Sequence, residues 1–287
     1  MQNLSNYERA EVLTQALPYI KKYTGKIVVV KYGGNAMINE NLKEQVMQDI
    51  VLLSLIGVKV VLVHGGGPEI SSLMDKLGKK PTFVNGLRVT DKETVDVVQM
   101  VLAGKINKSL VSHLESKGGK AMGISGIDGK LIVAKQKDER LGFVGEVVKI
   151  NIKPVHDLLE KGYIPVVSTV AIGEDGETYN INGDTAAAYL AGALNAKRLI
   201  MMTDIAGVLR DQKDPSTLIP EIDLKEAEEL QDSGVISGGM IPKVECCTLA
   251  IKSGVQKAII MDGRVPHSIL MELLTDEGSG TMFVEKK

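Results

Sequence analysis

The strongest constraint on the fold is a series of short apolar runs that alternate with helix-like segments. Runs rich in Val, Ile and Leu occupy residues 26–34, 58–67, 162–172, 196–204 and 255–263. Each one follows or precedes a stretch with apolar residues at helical spacing. Continuously apolar strands between helices are typical of a parallel sheet covered on both faces. We therefore predict an α/β fold: a three-layer αβα sandwich around a mostly parallel sheet, with two lobes and the active site at the strand C-terminal ends.

The chain is expected to divide into an N-terminal helix and two lobes. Residues 5–23 have apolar side chains at helical spacing, Ser5 and Glu8 match a capping box, and Pro18 should kink or split the helix. The segments 131–138 and 141–150 alternate more and predict a β-hairpin. The glycine-containing segment 173–178 is the best candidate for the lobe boundary. The predicted units are 1–24, 25–175 and 176–287.

Composition narrows the possible partners. The net charge is −2, aromatic residues are 3% and Trp is absent, so neither a phosphate-backbone surface nor a base-stacking platform is expected. No window approaches 18 uninterrupted apolar residues, and the first 25 residues do not match a secretory signal, so we expect a cytoplasmic protein without a membrane span. The adjacent Cys246 and Cys247 are interpreted as small buried hydrophobic residues rather than a disulfide or a metal site.

Two glycine-rich motifs follow the first two strands. Lys31 leaves a buried strand just before Gly33 and Gly34, which let the backbone approach an anion closely. Alone, such a lysine is more often a strand end that reaches water. His64 precedes Gly65–Gly67 and a helix start, which suits a carboxylate cradle or a plain tight turn. We interpret His64 as structural, because no nucleophile or partner carboxylate stands beside it.

Three more segments carry polar residues to predicted strand or helix ends. Asn180 and Asn182 would face the same way in an extended chain, and Asp184 or Thr185 could cap the following helix. The segment 203–208 ends a strand and would suit an adenine or ribose site. Lys243 lies at a helix start after the glycines of 237–239. Two lysines, one acid and several glycine loops meet the needs of phosphoryl transfer.

In this order, the motifs VKYGGNAM, VLVHGGGPEIS, NGLRVTD, AGKINK, YNINGDTAAA, MMTDIAGVL, SGGMIPKVE and EGSGTM resemble the amino acid kinase superfamily over residues 26–282. The segment NGLRVTD is similar to that of the N-acetylglutamate kinases within it. The resemblance implies that MgATP phosphorylates the γ-carboxylate of N-acetyl-L-glutamate in arginine biosynthesis. It also implies that residues 25–175 bind the acyl amino acid and dimerise, and that residues 176–287 bind the nucleotide.

The family's residue roles carry over to matching positions of this chain. Lys31 and Lys243 would stabilise the transferring phosphoryl group, and Asp184 would hold both lysines. Arg88 would pair with the substrate α-carboxylate. The implied substrate contacts are Gly66, Gly67, Arg88, Asn180 and Asn182. The implied ATP contacts are Gly33, Gly34, Thr203, Asp204, Gly207, Val208, Leu209, Ser237, Gly239 and Met240.

The implied reaction needs no general base, because the attacking carboxylate is ionised near neutral pH. No protein metal site is expected, and Mg²⁺ would be held mainly by the ATP phosphates. A homo-oligomer is implied, a dimer or a hexamer through the N-terminal helix. Six positions fit an L-arginine inhibitor signature: Gly263, Arg264, His267, Ser268, Glu272 and Gly278. Of these, His267, Glu272 and Gly278 are assigned to the implied arginine site, although Ile259 stands where many arginine-sensitive relatives have His.

Three rival interpretations stay open at this point. A sibling kinase acting on N-acetyl-aminoadipate or a carrier-linked glutamate differs by as little as one substrate methylene. A non-catalytic amino-acid or nucleotide sensor on the same fold is disfavoured by the joint presence of Lys31, Asp184 and Lys243. A nicotinamide-dependent oxidoreductase would need the GxGxxG fingerprint, which the chain lacks.

Overall fold

A computed structural model describes residues 5–37 and 39–286. The strands are β1 Ile27–Tyr32, β2 Lys59–His64, β3 Phe83–Val84, β4 Leu87–Arg88, β5 Ala121–Ser125, β6 Ile132–Gln136, β7 Gly145–Ile150, β8 Ile164–Ser168, β9 Val170–Gly173, β10 Thr178–Asn180, β11 Arg198–Thr203, β12 Glu221–Asp223, β13 Lys257–Asp262 and β14 Gly280–Val284. The α-helices are α1 Asn6–Gln15, α2 Leu17–Tyr23, α3 Glu40–Leu55, α4 Gly67–Lys76, α5 Lys92–Gln99, α6 Asn107–Ser116, α7 Lys153–Glu160, α8 Gly183–Ala193, α9 Leu224–Asp232, α10 Ile241–Lys252 and α11 Ser268–Leu274.

The main sheet of the described residues has the order β12-β14-β13-β11-β1-β2-β8-β5. The run from β13 to β5 is parallel, whereas β14 is antiparallel to β13 and pairs in parallel with β12. A second sheet has the order β10-β9-β6-β7, and β3 pairs with β4 in a hairpin. The central position of β1 and β2 brings the ends of these two strands to the middle of the sheet edge.

Buried side chains form one hydrophobic cluster on each face of the main sheet. Helices α7, α8, α9 and α10 and the second sheet supply one cluster, and α2 to α6 with α11 supply the other. Successive residues of a strand point to opposite faces. Accordingly Val29 joins the α8 cluster, whereas Val28, Val30 and Tyr32 join the α3 cluster. Lys31 therefore shares the face of Val29, which α8 covers.

Most predicted elements are confirmed. The αβα layering and the mostly parallel sheet are present, and the β6–β7 pairing is the predicted hairpin. The N-terminal helix is split into α1 and α2, with Pro18 in the first turn of α2, and Ser5 and Glu8 form the predicted capping box. Both cysteines are buried and free.

The predicted lobe boundary at 173–178 lies at the turn between β9 and β10. The division into 1–24, 25–175 and 176–287 stays a prediction. Across residues 5–37 and 39–286, every helix is too short or too polar to cross a membrane. The predicted cytoplasmic location likewise stays a prediction.

Candidate active site

The centre of the candidate site is a buried carboxylate that bridges two ammonium groups. Asp184, in the first turn of α8, lies with Oδ1 2.9 Å from the Nζ of Lys31 and accepts a hydrogen bond of 2.8 Å at Oδ2 from Lys243. These side chains are 11–21% exposed. Burial alone would raise the pKa of Asp184, but the two lysines outweigh burial and lower its pKa to about 2. The site therefore fixes two cations around one ionised acid.

Three loops converge on Lys31. A Cβ at Gly183 would lie 3.5 Å from Cε of Lys31 and 3.8 Å from the backbone of Gly65, and a Cβ at Gly33 would lie 2.4 Å from Nζ. The start of α8 therefore packs directly against Lys31 and the exit of β2, and Nζ of Lys31 folds back over Gly33. A Cβ at Gly34 would likewise lie 2.5 Å from Oδ1 of Asp204, which follows β11. The predicted meeting of motifs at the strand C-terminal ends is confirmed.

The helix cap was predicted wrongly. Asn182, rather than Asp184 or Thr185, caps α8, because its Oδ1 accepts from the backbone N–H groups of Asp184 and Thr185. The carboxylate of Asp184 is instead committed to the lysines. Lys243 lies in the first turn of α10, where the helix dipole disfavours a cation, and Asp184 compensates that cost.

A pocket of about 170 Å³ opens on one side of this centre. Its lining is formed by Gly65, Gly66, Gly67, Ile70, Phe83, Gly86, Leu87, Arg88, Leu102, Val144, Thr169, Asn180, Ile181, Asn182 and Gly183. The structure therefore brings together all the residues predicted to contact the substrate. The amide of Asn180 donates to Thr90 at 3.3 Å, whereas the amide oxygen of Asn182 is already used for capping.

Arg88 gives this pocket its charge. It is 6% exposed and donates to Gly67 O at 2.9 Å and to Ser71 Oγ at 2.8 Å, and its guanidinium lies 4.7 Å from the ring centroid of Phe83. Burial lowers its pKa below the ordinary value. Within the described ranges, no carboxylate forms an ion pair with Arg88. A buried guanidinium without a counter-charge is suited to an anionic ligand.

A second pocket of about 580 Å³ lies on the other side. It is lined by Asp204, Ile205, Ala206, Gly207, Val208, Leu209, Gln212, Pro215, Val235, Ser237, Gly239, Met240, Lys243 and Arg264. This lining contains most residues predicted to contact ATP. Thr203 lies beneath it at the end of β11, where its carbonyl accepts from Gly263 N at 2.8 Å. Gly33 and Gly34 are not part of this lining, but Gly33 lies beside Lys31 and Gly34 beside Asp204.

Arg264 was predicted as part of the arginine signature and not as a residue of the larger pocket, whose lining contains it. Its guanidinium makes two hydrogen bonds with Asp262, at 2.9 and 2.8 Å, and it lines the larger pocket. The sequence did hold a signal, because Arg264 lies two residues beyond Asp262, where β13 ends. The rule used for the other motifs, that ligands collect beyond strand ends, applies here as well.

The three residues assigned to the arginine site, His267, Glu272 and Gly278, line neither of these pockets. Glu272 Oε2 accepts from Ser279 N at 3.1 Å, and a Cβ at Gly278 would lie 3.2 Å from that oxygen, so these positions are adjacent. His267 instead pairs with Asp49, with Nδ1 2.6 Å from Oδ1, and lines a groove of about 620 Å³ between α1–α2 and α11.

Comparison with known proteins identifies this arrangement. Residues 26–262 match the model of the amino acid kinase family. The chain belongs to the amino acid kinase family. It is 56% identical to the acetylglutamate kinase of Clostridium beijerinckii, over 97% of this chain and 99% of that protein. It is 54% identical to the acetylglutamate kinase of Caldanaerobacter subterraneus subsp. tengcongensis, over 96% and 92%. The predicted family is confirmed.

Solved structures share the fold at lower identity. An N-acetylglutamate synthase of Neisseria gonorrhoeae, complexed with coenzyme A and N-acetyl-glutamate, superposes with a TM-score of 0.84 at 24% identity, covering 97% of this chain and 64% of that one. A Giardia carbamate kinase superposes with a TM-score of 0.70 at 20% identity, covering 91% and 99%. The three-layer architecture is therefore that of amino acid kinase proteins.

Proposed function

We propose that the protein transfers the γ-phosphoryl group of ATP to the side-chain carboxylate of N-acetyl-L-glutamate, a step of arginine biosynthesis. The observation that supports the proposal is the Lys31–Asp184–Lys243 bridge, together with a pocket that contains the buried Arg88 and a larger, partly apolar pocket that contains Lys243. An acyl amino acid beside Arg88 and a nucleotide beside residues 204–209 would both extend toward this bridge.

The chemistry follows from charge rather than from proton transfer. A carboxylate oxygen of the substrate forms a bond to the γ-phosphorus while the bond from that phosphorus to the bridging oxygen of ADP breaks. The carboxylate is already ionised at neutral pH, so the barrier lies in bringing two anions together. Lys31 and Lys243 would neutralise charge on the transferring group, and Asp184 would keep both ammonium groups in place before substrates bind.

Magnesium fits this arrangement as an ATP-bound ion. It would neutralise phosphate charge and supply electrophilic assistance to the transfer. Asp204 is the carboxylate in the lining of the larger pocket and would help to hold the ion there. Arg264, held by Asp262 in the same lining, would face the nucleotide.

An assay of substrate choice tests the proposal. ADP release would be measured with MgATP and N-acetyl-L-glutamate, L-glutamate or N-acetyl-L-aminoadipate, and hydroxylamine would trap the acyl phosphate. We expect turnover and hydroxamate formation with N-acetyl-L-glutamate, and at least about tenfold lower kcat/KM with the longer homologue. Faster turnover of the aminoadipate substrate, or no acyl phosphate from either, would contradict the proposal.

We further propose that the protein is a homo-oligomer and responds to L-arginine. Helix α1 contains no buried residue, and Tyr7, Val12, Leu13 and Leu17 are exposed on or beside it, so this segment supports assembly through the N-terminal helix. The adjacency of Glu272 and Gly278 supports an arginine site near α11. Light scattering that finds only dimers, together with activity indifferent to arginine, would contradict the hexameric, arginine-inhibited form.

A further inference from the structure

His64 and the segment 103–108 contain buried polar groups that the proposed chemistry leaves without a role. His64 is completely buried at the end of β2, on the α6 side of the sheet. Its Nδ1 lies 2.9 Å from Gly65 O, and its Nε2 lies 3.2 Å from Nδ2 of Asn107, the first residue of α6. Asn107 itself is 1% exposed. Buried polar groups keep their hydrogen bonds, so this pair is suited to fixing the conformation of the adjacent glycine loop.

The contact with Gly65 defines which ring nitrogen of His64 carries the proton. A carbonyl oxygen can only accept, so the contact between Nδ1 and Gly65 O requires the proton of the neutral ring to lie on Nδ1, which leaves Nε2 bare. The Nδ2 of Asn107 donates to Val166 O at 2.9 Å, and it has Nε2 of His64 at 3.2 Å and Ile124 O at 3.3 Å as further acceptors. Burial lowers the pKa of His64 to about 4, which agrees with a neutral ring. Nδ1–H thus donates to the carbonyl of Gly65.

That donation sets the direction of the next N–H group. In a trans peptide the C=O of one residue and the N–H of the next point in opposite directions, and the described chain has no cis peptide bond. Since Gly65 O faces the buried ring, the N–H of Gly66 faces the other way, toward the side of the sheet that carries Lys31. Within the described residues, no protein acceptor is found for the N–H of Gly66 or of Gly67.

The helix beneath the loop restricts the alternative orientation. A Cβ at Gly66 would lie 2.1 Å from Cδ1 of Ile106 and 2.7 Å from Cδ2 of Leu102. Both side chains belong to the π-helical turn Met100–Ile106 between α5 and α6. Their close packing leaves little room for the loop to rotate, and π-helical turns are often found at functional sites. The π-helical turn therefore packs against the loop, and Asn107, which directly follows the turn, contacts His64.

We propose that His64 and Asn107 are positioning residues, which hold the Gly65–Gly66 peptide so that the Gly66 N–H faces the reacting carboxylate of the acyl amino acid. The proposal rests on the proposed function of the pocket. The two residues act through the backbone and touch no substrate. They direct the Gly66 N–H, an uncharged hydrogen-bond donor, toward the carboxylate whose negative charge must be stabilised during phosphoryl transfer.

Paired substitutions of His64 test the proposal. In His64→Asn the amide nitrogen can occupy the position of Nδ1 and keep the hydrogen bond to the carbonyl of Gly65. In His64→Gln the amide nitrogen reaches only the position of Nε2, so the hydrogen bond to Gly65 is lost. His64→Leu removes the hydrogen bonds at both ring positions. We expect kcat/KM for N-acetyl-L-glutamate to fall about 10–100-fold in the Gln and Leu variants and at most about fivefold in the Asn variant, with KM for ATP within about threefold throughout.

The rescue pattern separates positioning from a general structural role. Equal losses in His64→Asn and His64→Gln, equal rises in both Michaelis constants, or activity of His64→Gln within threefold of the wild type would overturn the proposal. If His64→Leu does not fold, the Asn–Gln comparison decides alone. His113→Leu, on the same helix as Asn107 but bonded to Ser109 O, is the matched control and should retain wild-type activity. Wild-type turnover tests the proposed function separately, because the inference depends only on ratios between variant and wild type.

Discussion

Replacing Asp184 with asparagine should reduce both stability and catalysis, because the carboxylate is the shared counter-charge of Lys31 and Lys243. At an effective dielectric constant of about 20, a pair of unit charges 2.9 Å apart attracts by about 6 kcal/mol, most of which desolvation offsets. Removing one partner of a buried pair costs about 3–5 kcal/mol. Since the three side chains keep 11–21% exposure, we expect a loss near the lower limit, about 3 kcal/mol.

The catalytic effect should be larger than the effect on folding. Without Asp184 the ammonium groups repel each other and are no longer fixed before the substrates bind, so we expect kcat to fall about 100–1000-fold. Urea unfolding and coupled ADP release measure the two effects. Asp232→Asn, at an exposed position on α9, is the matched control and should change neither. A stability loss below about 1 kcal/mol together with kcat within tenfold of the wild type would refute the reasoning.

The pH dependence of the same variant gives an independent check. The pKa of Asp184 falls from its ordinary value of 3.8 to about 2 in the folded protein. A lowered folded-state pKa means that its stabilisation is complete above the unfolded value and is lost as the pH falls through about 2. The stability difference between wild type and Asp184→Asn should therefore be constant at neutral pH and shrink below about pH 4.

Three further predictions concern single positions. Arg88→Lys should raise KM for N-acetyl-L-glutamate about tenfold and leave KM for ATP within about threefold. The reason is that a planar guanidinium can bind the backbone and a ligand at the same time, whereas a single ammonium group cannot. Equal changes in both Michaelis constants would contradict this prediction. Gly66→Ala should destabilise the protein by about 1–3 kcal/mol in urea unfolding, since its Cβ would overlap buried side chains, whereas Gly104→Ala, with open space around it, should not. Burial raises the pKa of Asp49 to about 6 despite its bond to His267, so the native state favours the protonated acid and loses stability as the pH rises from about 4 to 6. The stability of Asp49→Asn relative to wild type should rise by about 2 kcal/mol between pH 4 and pH 8, and a constant difference would exclude this account.

Local patterns in the sequence were enough to predict the layers of the fold and the residues that gather at the strand ends. The two-residue period of β1 places Lys31 on the face of Val29, and parallel strands between helices bring successive strand ends to one edge. The capping box at Ser5 and the β6–β7 hairpin were predictable for the same reason, because their signals lie within a few residues.

The electrostatics of the site depended on contacts between distant segments. The bond between Asp184 and Lys243 joins residues 59 positions apart, and a local pattern favoured Asp184 as a helix cap instead. Asn182 caps the helix, and the carboxylate of Asp184 instead contacts Lys31 and Lys243. The lack of a counter-charge at Arg88, within the described residues, is likewise visible only in three dimensions.

The sequence by itself therefore determined the fold class, the family and the set of residues at the strand ends, since these follow from short-range periodicity and motif order. Only the tertiary structure decided how those residues act on one another. It placed Arg264 in the lining of the larger pocket, and it showed that His64 donates a hydrogen bond to the glycine loop. The physical reason is that hydrogen-bond direction and charge compensation depend on the register between elements that the chain brings together from far apart.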